Sequence, residues 1–308
     1  MSKRVLITGG AGFIGSHLVR HFAGQAQVTV LDDLRSGYAH NLDGVACRFV
    51  RGSILDARAL REAMADAEEV YHLAAMISVP ESVAKPAECA ELNTEGTRRV
   101  LDAAVAAGAR KVVLASSAAI YGDNPTVPKL ESMSPEPKSP YAETKLAGEH
   151  LLEAYRQTHG LGTTSLRFFN VFGPRQDPRS AYAAAVPIFI AKALRDEPIG
   201  IHGDGGQTRD FVHVTDIVGA LAYAGASADM AGTYNVGYGR SQSILELAQE
   251  ILRLTGSKSA IEHLPPRAGD VRHSLASTER LLSAGWKPKS SVRSGLTETV
   301  DYFRKLKG

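Results

Sequence analysis

The run Gly9-Gly10-Ala11-Gly12-Phe13-Ile14-Gly15 leaves this chain few options for a fold. It follows a short apolar stretch, Lys3-Arg4-Val5-Leu6-Ile7-Thr8, that reads as a buried strand. It precedes Ser16-His17-Leu18-Val19-Arg20-His21-Phe22, which reads as a helix. Glycines at 9, 12 and 15 permit a tight turn and close approach of backbone to a ligand, and the free N–H groups that open the helix face a phosphate. A glycine-rich turn alone is most often a plain loop; between a strand and a helix it is a dinucleotide site. The second strand, Gln27-Val28-Thr29-Val30-Leu31, ends in Asp32, placed to accept hydrogen bonds from an adenosine ribose and to repel a 2′-phosphate. NAD is therefore expected over NADP, although Arg35 is close enough in sequence to blunt that preference.

Strand and helix then alternate, as an α/β doubly wound parallel sheet requires. Arg48-Phe49-Val50 reads as a strand, 57–64 as a helix, and Glu69-Val70-Tyr71-His72-Leu73 as a strand running into the small residues Ala74 and Ala75. A helix is expected from Asn93 through Ala107. The strand Lys111-Val112-Val113-Leu114 leads to Ser116 and Ser117, at the carboxyl end where such sheets bind ligands. Further on, 211–214 reads as a strand returning to the first domain and 245–252 as an amphipathic helix.

Ser139-Pro140-Tyr141-Ala142-Glu143-Thr144-Lys145 carries the chemistry. Ser139 can cap a helix and Pro140 suits its first position, so Tyr141 and Lys145, at i and i+4, share one face. A phenol with pKa about 10 is a poor base near neutrality, and a neighbouring ammonium favours its ionised form. Most Tyr-x-x-x-Lys pairs are plain helix surface. The dinucleotide turn upstream gives this pair its meaning.

Composition narrows the remaining classes. The 308 residues suffice for two domains, and the net charge of +2 gives no reason to invoke nucleic acid. Cys47 and Cys89 have no paired spacing, and the ten histidines show no metal-ligand spacing, so no metal is expected. No apolar run reaches membrane-spanning length, and the N-terminus starts with a strand, so a cytoplasmic enzyme without membrane contact is expected.

The chain resembles the extended short-chain dehydrogenase/reductase family, and within it the UDP-glucose/UDP-galactose 4-epimerases. The resemblance rests on the Gly9/Gly12/Gly15 turn, His72-Leu73-Ala74-Ala75, Ser117, Tyr141 with Lys145, Leu166-Arg167-Phe168-Phe169-Asn170 and Gln207-Thr208-Arg209-Asp210-Phe211, in the family's order and spacing. It implies a Rossmann domain over 1–174, with 211–240 returning to it, and a smaller α/β nucleotide-sugar domain over 175–308. By resemblance Tyr141 is the catalytic base, Lys145 binds the nicotinamide ribose and lowers the tyrosine pKa, and Ser117 hydrogen-bonds the reacting sugar oxygen. NAD is implied to contact Gly9, Gly12, Phe13, Ile14, Gly15, Asp32, Asp33, Ser36, Ser53, Ile54, Leu73, Ala74, Ala75, Asn93, Ser116, Tyr141, Lys145 and Phe168. Ser53 replaces an acidic residue that commonly meets adenine, and Ile77 replaces a cofactor-contacting lysine; both departures loosen the expected grip on NAD.

The same resemblance implies a UDP-sugar substrate and a 4-keto intermediate. Uracil is expected near Ala184, Ala185, Gly200 and His202, the diphosphate against Arg209 and Arg267, the uridine ribose near Asp270, and the sugar near Ser78, Ser117, Ala118, Tyr141 and Asn170. Related dehydratases and decarboxylases carry an acidic residue just after the serine, where this chain has Ala118-Ala119-Ile120. Simple 4-epimerisation is therefore expected. Ser274 stands where strict glucose/galactose enzymes carry tyrosine, which implies room for an N-acetyl group and so UDP-GlcNAc/UDP-GalNAc as well as UDP-Glc/UDP-Gal. A UDP-glucuronate 4-epimerase or another nucleotide-sugar oxidoreductase of the family is the alternative. Family geometry implies a homodimer through a four-helix bundle.

Overall fold

A computed structural model describes residues 2–178, 184–266 and 271–307. The strands are β1 (Lys3–Thr8), β2 (Ala26–Asp32), β3 (Arg48–Arg51), β4 (Glu69–His72), β5 (Lys111–Ser117), β6 (Gly162–Phe168), β7 (Asn170–Phe172), β8 (Ile199–His202), β9 (Thr208–His213), β10 (Gly232–Val236), β11 (Ser241–Ser243) and β12 (Ile261–Leu264). The helices are α1 (Phe13–Phe22), α2 (Ala57–Met64), α3 (Val79–Ala84), α4 (Pro86–Ala90), α5 (Gly96–Ala106), α6 (Pro140–His159), α7 (Ala185–Ala193), α8 (Val214–Ala226), α9 (Ile244–Thr255), α10 (Glu279–Ser283) and α11 (Val292–Lys307).

Seven strands form one parallel sheet in the order β10-β6-β5-β4-β1-β2-β3. Alternation along β1 explains its apolar run: Val5 and Ile7 enter one core while Leu6 enters the other. The first core is closed by α1 and α8 through Leu18, Val19, Ile217 and Leu221. The second is closed by α2, α5 and α6 through Leu60, Ala63, Leu101 and Leu152. Strand order reverses between β1 and β4, which opens a crevice at the carboxyl ends of the strands. The expected α/β doubly wound parallel sheet is present.

A third core lies among α7, α9 and α11, with Phe189, Ile190, Leu247, Ile251, Leu296 and Val300. Next to it are the two-stranded β12-β8 pair and the three-stranded sheet β11-β9-β7. The strand expected at 211–214 is β9, and it pairs with β7 and β11 rather than with the large sheet. What rejoins the large sheet is β10, parallel to β6, after α8 has packed on α1.

The helix expected to begin at Asn93 begins earlier. Pro86 opens α4, and a π-turn over Glu91–Glu95 carries the chain into α5. Asn93 lies inside that turn. Its side chain accepts from Met76 N at 2.7 Å and donates to Met76 O at 3.0 Å and Thr144 Oγ1 at 3.0 Å, so its short amide serves tertiary contacts instead of a cap. Among the described residues, no helix is long and apolar enough to cross a membrane, and no three His, Cys, Asp or Glu side chains gather as a metal-binding group.

Candidate active site

The glycine turn is built by close backbone approach. Gly9 has φ +71° and a Cβ there would lie 2.7 Å from Ala74 N, while a Cβ on Gly15 would lie 2.7 Å from Gly10 Cα. Gly12 caps α1 without any side-chain hydrogen bond, so the first-turn amides of Phe13, Ile14 and Gly15 face the crevice with the positive end of the helix. Asp32 closes the turn from β2. Its Oδ2 accepts from Ala11 N at 2.9 Å and its Oδ1 from Leu34 N at 2.8 Å, while burial raises its pKa against those two bonds.

His72, at the end of β4, is a neutral spacer. Burial pushes it down to about 3, and its ring bonds Thr8 Oγ1 at 2.7 Å and Thr97 Oγ1 at 3.0 Å. Thr8 Oγ1 in turn accepts from Ala74 N at 3.3 Å, which fixes the Leu73-Ala74 backbone beside Gly9.

Helix α6 starts where the sequence predicts, with Ser139 Oγ accepting from Ala142 N at 3.2 Å and Pro140 in the first turn. Lys145 is buried. Its Nζ donates to Ala115 O at 2.8 Å and lies 5.7 Å from the Tyr141 ring centroid. Burial lowers the Lys145 pKa to about 8, with Cys89 and Glu149 acting in the opposite direction. Burial likewise raises the Tyr141 phenol, and a hydrogen bond with the Ser117 hydroxyl pulls it back. The ammonium of Lys145 gives its hydrogen bond to the Ala115 carbonyl and stands beside the Tyr141 ring, so it adds positive charge next to the phenol without bonding it.

These groups line one cavity of about 460 Å³, together with the glycine turn, Asp32, Asp33, Ser36, Ser53, Ile54, Leu73, Ala74, Ala75, Ser116, Ser117 and Phe168. Of the residues assigned to NAD, Asn93 alone is not on the wall; it is buried behind it. Of the substrate candidates, Ser117, Tyr141 and Ala184 line the same space. Ser78 caps α3 by accepting from Glu81 N at 3.1 Å, and Ala118 opens a 3-10 turn. Asn170 Nδ2 donates to Asp210 O at 3.3 Å, and Ser274, half-buried, donates its N–H to Thr208 O at 3.1 Å. Ala185 opens α7, Gly200 and His202 lie on β8, and the His202 ring donates to Pro265 O at 2.9 Å. Arg209 Nη1 donates to Thr208 O at 2.9 Å. Arg267 and Asp270 lie outside the described residues.

The sequence reading missed part of the wall. Tyr38, Asn41, Arg175, Gln176 and Asp177 line the cavity. A signal for the first two exists: Gly37 packs so tightly on Ala11 that a Cβ would fall 2.8 Å from its carbonyl carbon, and Asn41 Nδ2 donates to Ala11 O at 2.9 Å. The other three come from 138 residues or so further on, and nothing near Asp32 announces them.

The residues present fit NAD. Uncapped amides suit a pyrophosphate, the carboxylate at Asp32 suits a ribose, and Gln176 Oε1 is a buried acceptor with no partner among the described residues.

The model for the family described as "NAD dependent epimerase/dehydratase family" matches residues 5–237. A curated relative, UDP-glucose 4-epimerase of Mycolicibacterium smegmatis, is 42% identical over 310 residues, covering 98% of each chain. Among solved structures, UDP-N-acetylglucosamine 4-epimerase from Methanobrevibacter ruminantium, in complex with UDP-N-acetylmuramic acid, superposes with a TM-score of 0.96 at 38% identity over 99% of both chains. UDP-glucose 4-epimerase from Thermotoga maritima, with UDP-glucose, gives 0.95 at 39% identity, covering 99% of this chain and 100% of that one. The glycine turn, the Tyr141/Lys145 helix and the seven-stranded sheet thus sit within a likeness that runs the length of the chain, and the chain belongs to the NAD dependent epimerase/dehydratase family, with NAD as its cofactor.

Proposed function

We propose that the chain is a 4-epimerase of UDP-hexoses, acting on UDP-Glc/UDP-Gal and also on UDP-GlcNAc/UDP-GalNAc. The observation that carries this reading is the meeting of Ser117, Tyr141 and Lys145 with the glycine turn and Asp32 around one cavity. Held by the glycine turn, Asp32 and Lys145, NAD would supply the hydride acceptor and donor that inversion at the sugar carbon requires. Tyr141 Oη takes the proton of the 4-hydroxyl and gives it back, so the cycle needs no net proton. The Ser117 hydroxyl, which bonds the same phenol in the sugar-free site, hydrogen-bonds the reacting sugar oxygen. Lys145 keeps a positive charge at this wall, opposite the charge that a phenolate would carry. Ala118-Ala119-Ile120 offers no carboxylate for elimination, which favours epimerisation over dehydration.

Ser274 is the proposed reason for N-acetyl tolerance, since a serine leaves room that a tyrosine would fill. Residues 1–174 with 211–240 would hold NAD, and 175–308 the nucleotide sugar. A homodimer would form by pairing α5 and α6 with their counterparts, and light scattering showing a stable monomer would remove that part of the proposal.

The test is to incubate the purified protein with UDP-Gal, UDP-GalNAc and UDP-galacturonic acid in separate reactions and resolve the epimers by NMR. Conversion of the first two supports the full reading. Conversion of UDP-Gal alone keeps the mechanism and discards the roomy pocket. Activity on the uronic acid alone moves the chain to the uronate epimerases.

A further inference from the structure

Two loops far apart in sequence meet over the NAD cavity. The first follows β2 and carries Ser36, Tyr38 and Asn41; the second follows β7 and carries Arg175, Gln176 and Asp177. All six line the cavity. The first loop is locked onto the glycine turn, since Tyr38 N and Asn41 Nδ2 both donate to Ala11 O, at 3.1 and 2.9 Å. The second is held at its root, where the His17 ring donates from Nε2 to Pro174 O at 2.8 Å and Gln176 Nε2 donates to Val171 O at 3.2 Å. Burial keeps His17 neutral, so this pin does not depend on a charge.

The side chains of the two loops then join at the outside: Tyr38 Oη donates to Asp177 Oδ2 at 2.5 Å, across 139 residues of sequence. Tyr38 also stacks on His40, with ring centroids 5.2 Å apart and planes inclined by 24°. The tyrosine is 41% exposed, whereas the attachments to Ala11 O lie beneath it.

We propose that Tyr38 and Asp177 form a clasp that governs release of NAD, with Tyr38 and Asp177 as positioning residues rather than catalytic ones. The hydroxyl-to-carboxylate bond is of the charge-assisted kind and holds the 175–177 segment against the 35–41 loop. It also keeps one carboxylate oxygen of Asp177 engaged in a cavity that must accept a pyrophosphate. The inference concerns the cofactor alone and does not depend on which sugar is turned over.

The experiment measures dissociation of NADH from the holoprotein, by its fluorescence, after mixing with excess NAD+. Tyr38→Phe removes only the exposed hydroxyl, and Asp177→Ala removes the acceptor. Each is expected to speed release by roughly 5- to 20-fold, and the double variant to fall clearly short of the product of the two effects, because the bond they share can be lost only once. Thermal unfolding of the NAD-free proteins should agree within a few degrees, since the bond lies outside the core. Release rates within twofold of the parent in both single variants would overturn the clasp. A double variant whose effect is the product of the two singles would also overturn it, because the residues would then act separately.

Discussion

The Nζ of Lys145 stands 5.7 Å from the centre of the Tyr141 ring and gives its 2.8 Å hydrogen bond to the Ala115 carbonyl. The ammonium is therefore held by β5 as well as by its own helix, and its position is independent of the phenol. Tyr141→Phe should leave that arrangement and NAD binding intact while removing the proton carrier. Turnover of UDP-Gal is expected to fall by about 10²- to 10⁴-fold, the usual share of a positioned acid–base group. Parallel measurement of NAD content separates this from a binding defect.

Lys145 also sets a pH dependence of stability. Its folded pKa is lowered by burial to about 8 from an ordinary 10.5, so between those values the unfolded chain binds more protons than the folded one. Stability must rise with pH across that window, and the full cost of burying the charge, about 3 kcal/mol, is present below about pH 8. Lys145→Met should thus be more stable than the parent at pH 7, inactive, and should lose its advantage towards pH 10. Urea unfolding of the NAD-free proteins at both pH values measures this; a constant difference would mean that Lys145 titrates at its ordinary value.

Gly15→Ala tests the phosphate turn. The added Cβ would overlap the Gly9 carbonyl oxygen and approach Gly10 Cα to 2.7 Å, and both neighbours are backbone. Overpacking of this kind costs roughly 1–3 kcal/mol, and displacement of the turn should weaken NAD binding at least ~10-fold, because the first-turn amides no longer converge. Calorimetric titration with NAD reads the second effect directly.

Glu149 and Arg167 form a buried ion pair under the site, at 2.9 and 2.7 Å, and Glu149 also accepts from Ser116 Oγ at 2.6 Å. Glu149→Gln leaves a buried guanidinium without its counter-charge, so a loss of about 3–5 kcal/mol is expected. Replacing both, as Glu149→Leu with Arg167→Met, should recover most of it. Chemical denaturation of the two variants decides between a charge that needs its partner and a simple packing defect.

Ser274→Tyr addresses the sugar pocket. If serine makes the room, the variant should lose turnover of UDP-GalNAc by at least ~10-fold relative to UDP-Gal, since a site rejects a substituent far better by filling the space than by failing to contact it. Unchanged relative rates would remove Ser274 as the gate.

Much of this protein is local in origin and so legible in the chain. A strand, three spaced glycines and a helix start specify the dinucleotide turn within fifteen residues. Ser139-Pro140 specifies the start of the helix that puts Tyr141 and Lys145 on one face, and that helix starts where the sequence reading set it, whereas α1 starts at Phe13, three residues before the expected Ser16. Apolar alternation and strand–helix order determine the doubly wound sheet, because each strand must bury both faces. Tertiary structure alone decided three things. It put Asn93 in a π-turn behind the cavity, because its amide finds better partners in Met76 and Thr144 than at a helix start. It gave the Lys145 ammonium an anchor on β5, the Ala115 carbonyl, which no i, i+4 spacing on α6 announces. And it joined Tyr38 to Asp177, a contact across 139 residues that no spacing rule reaches, since hydrogen bonds between loops are set by where the packed elements carry the loop ends.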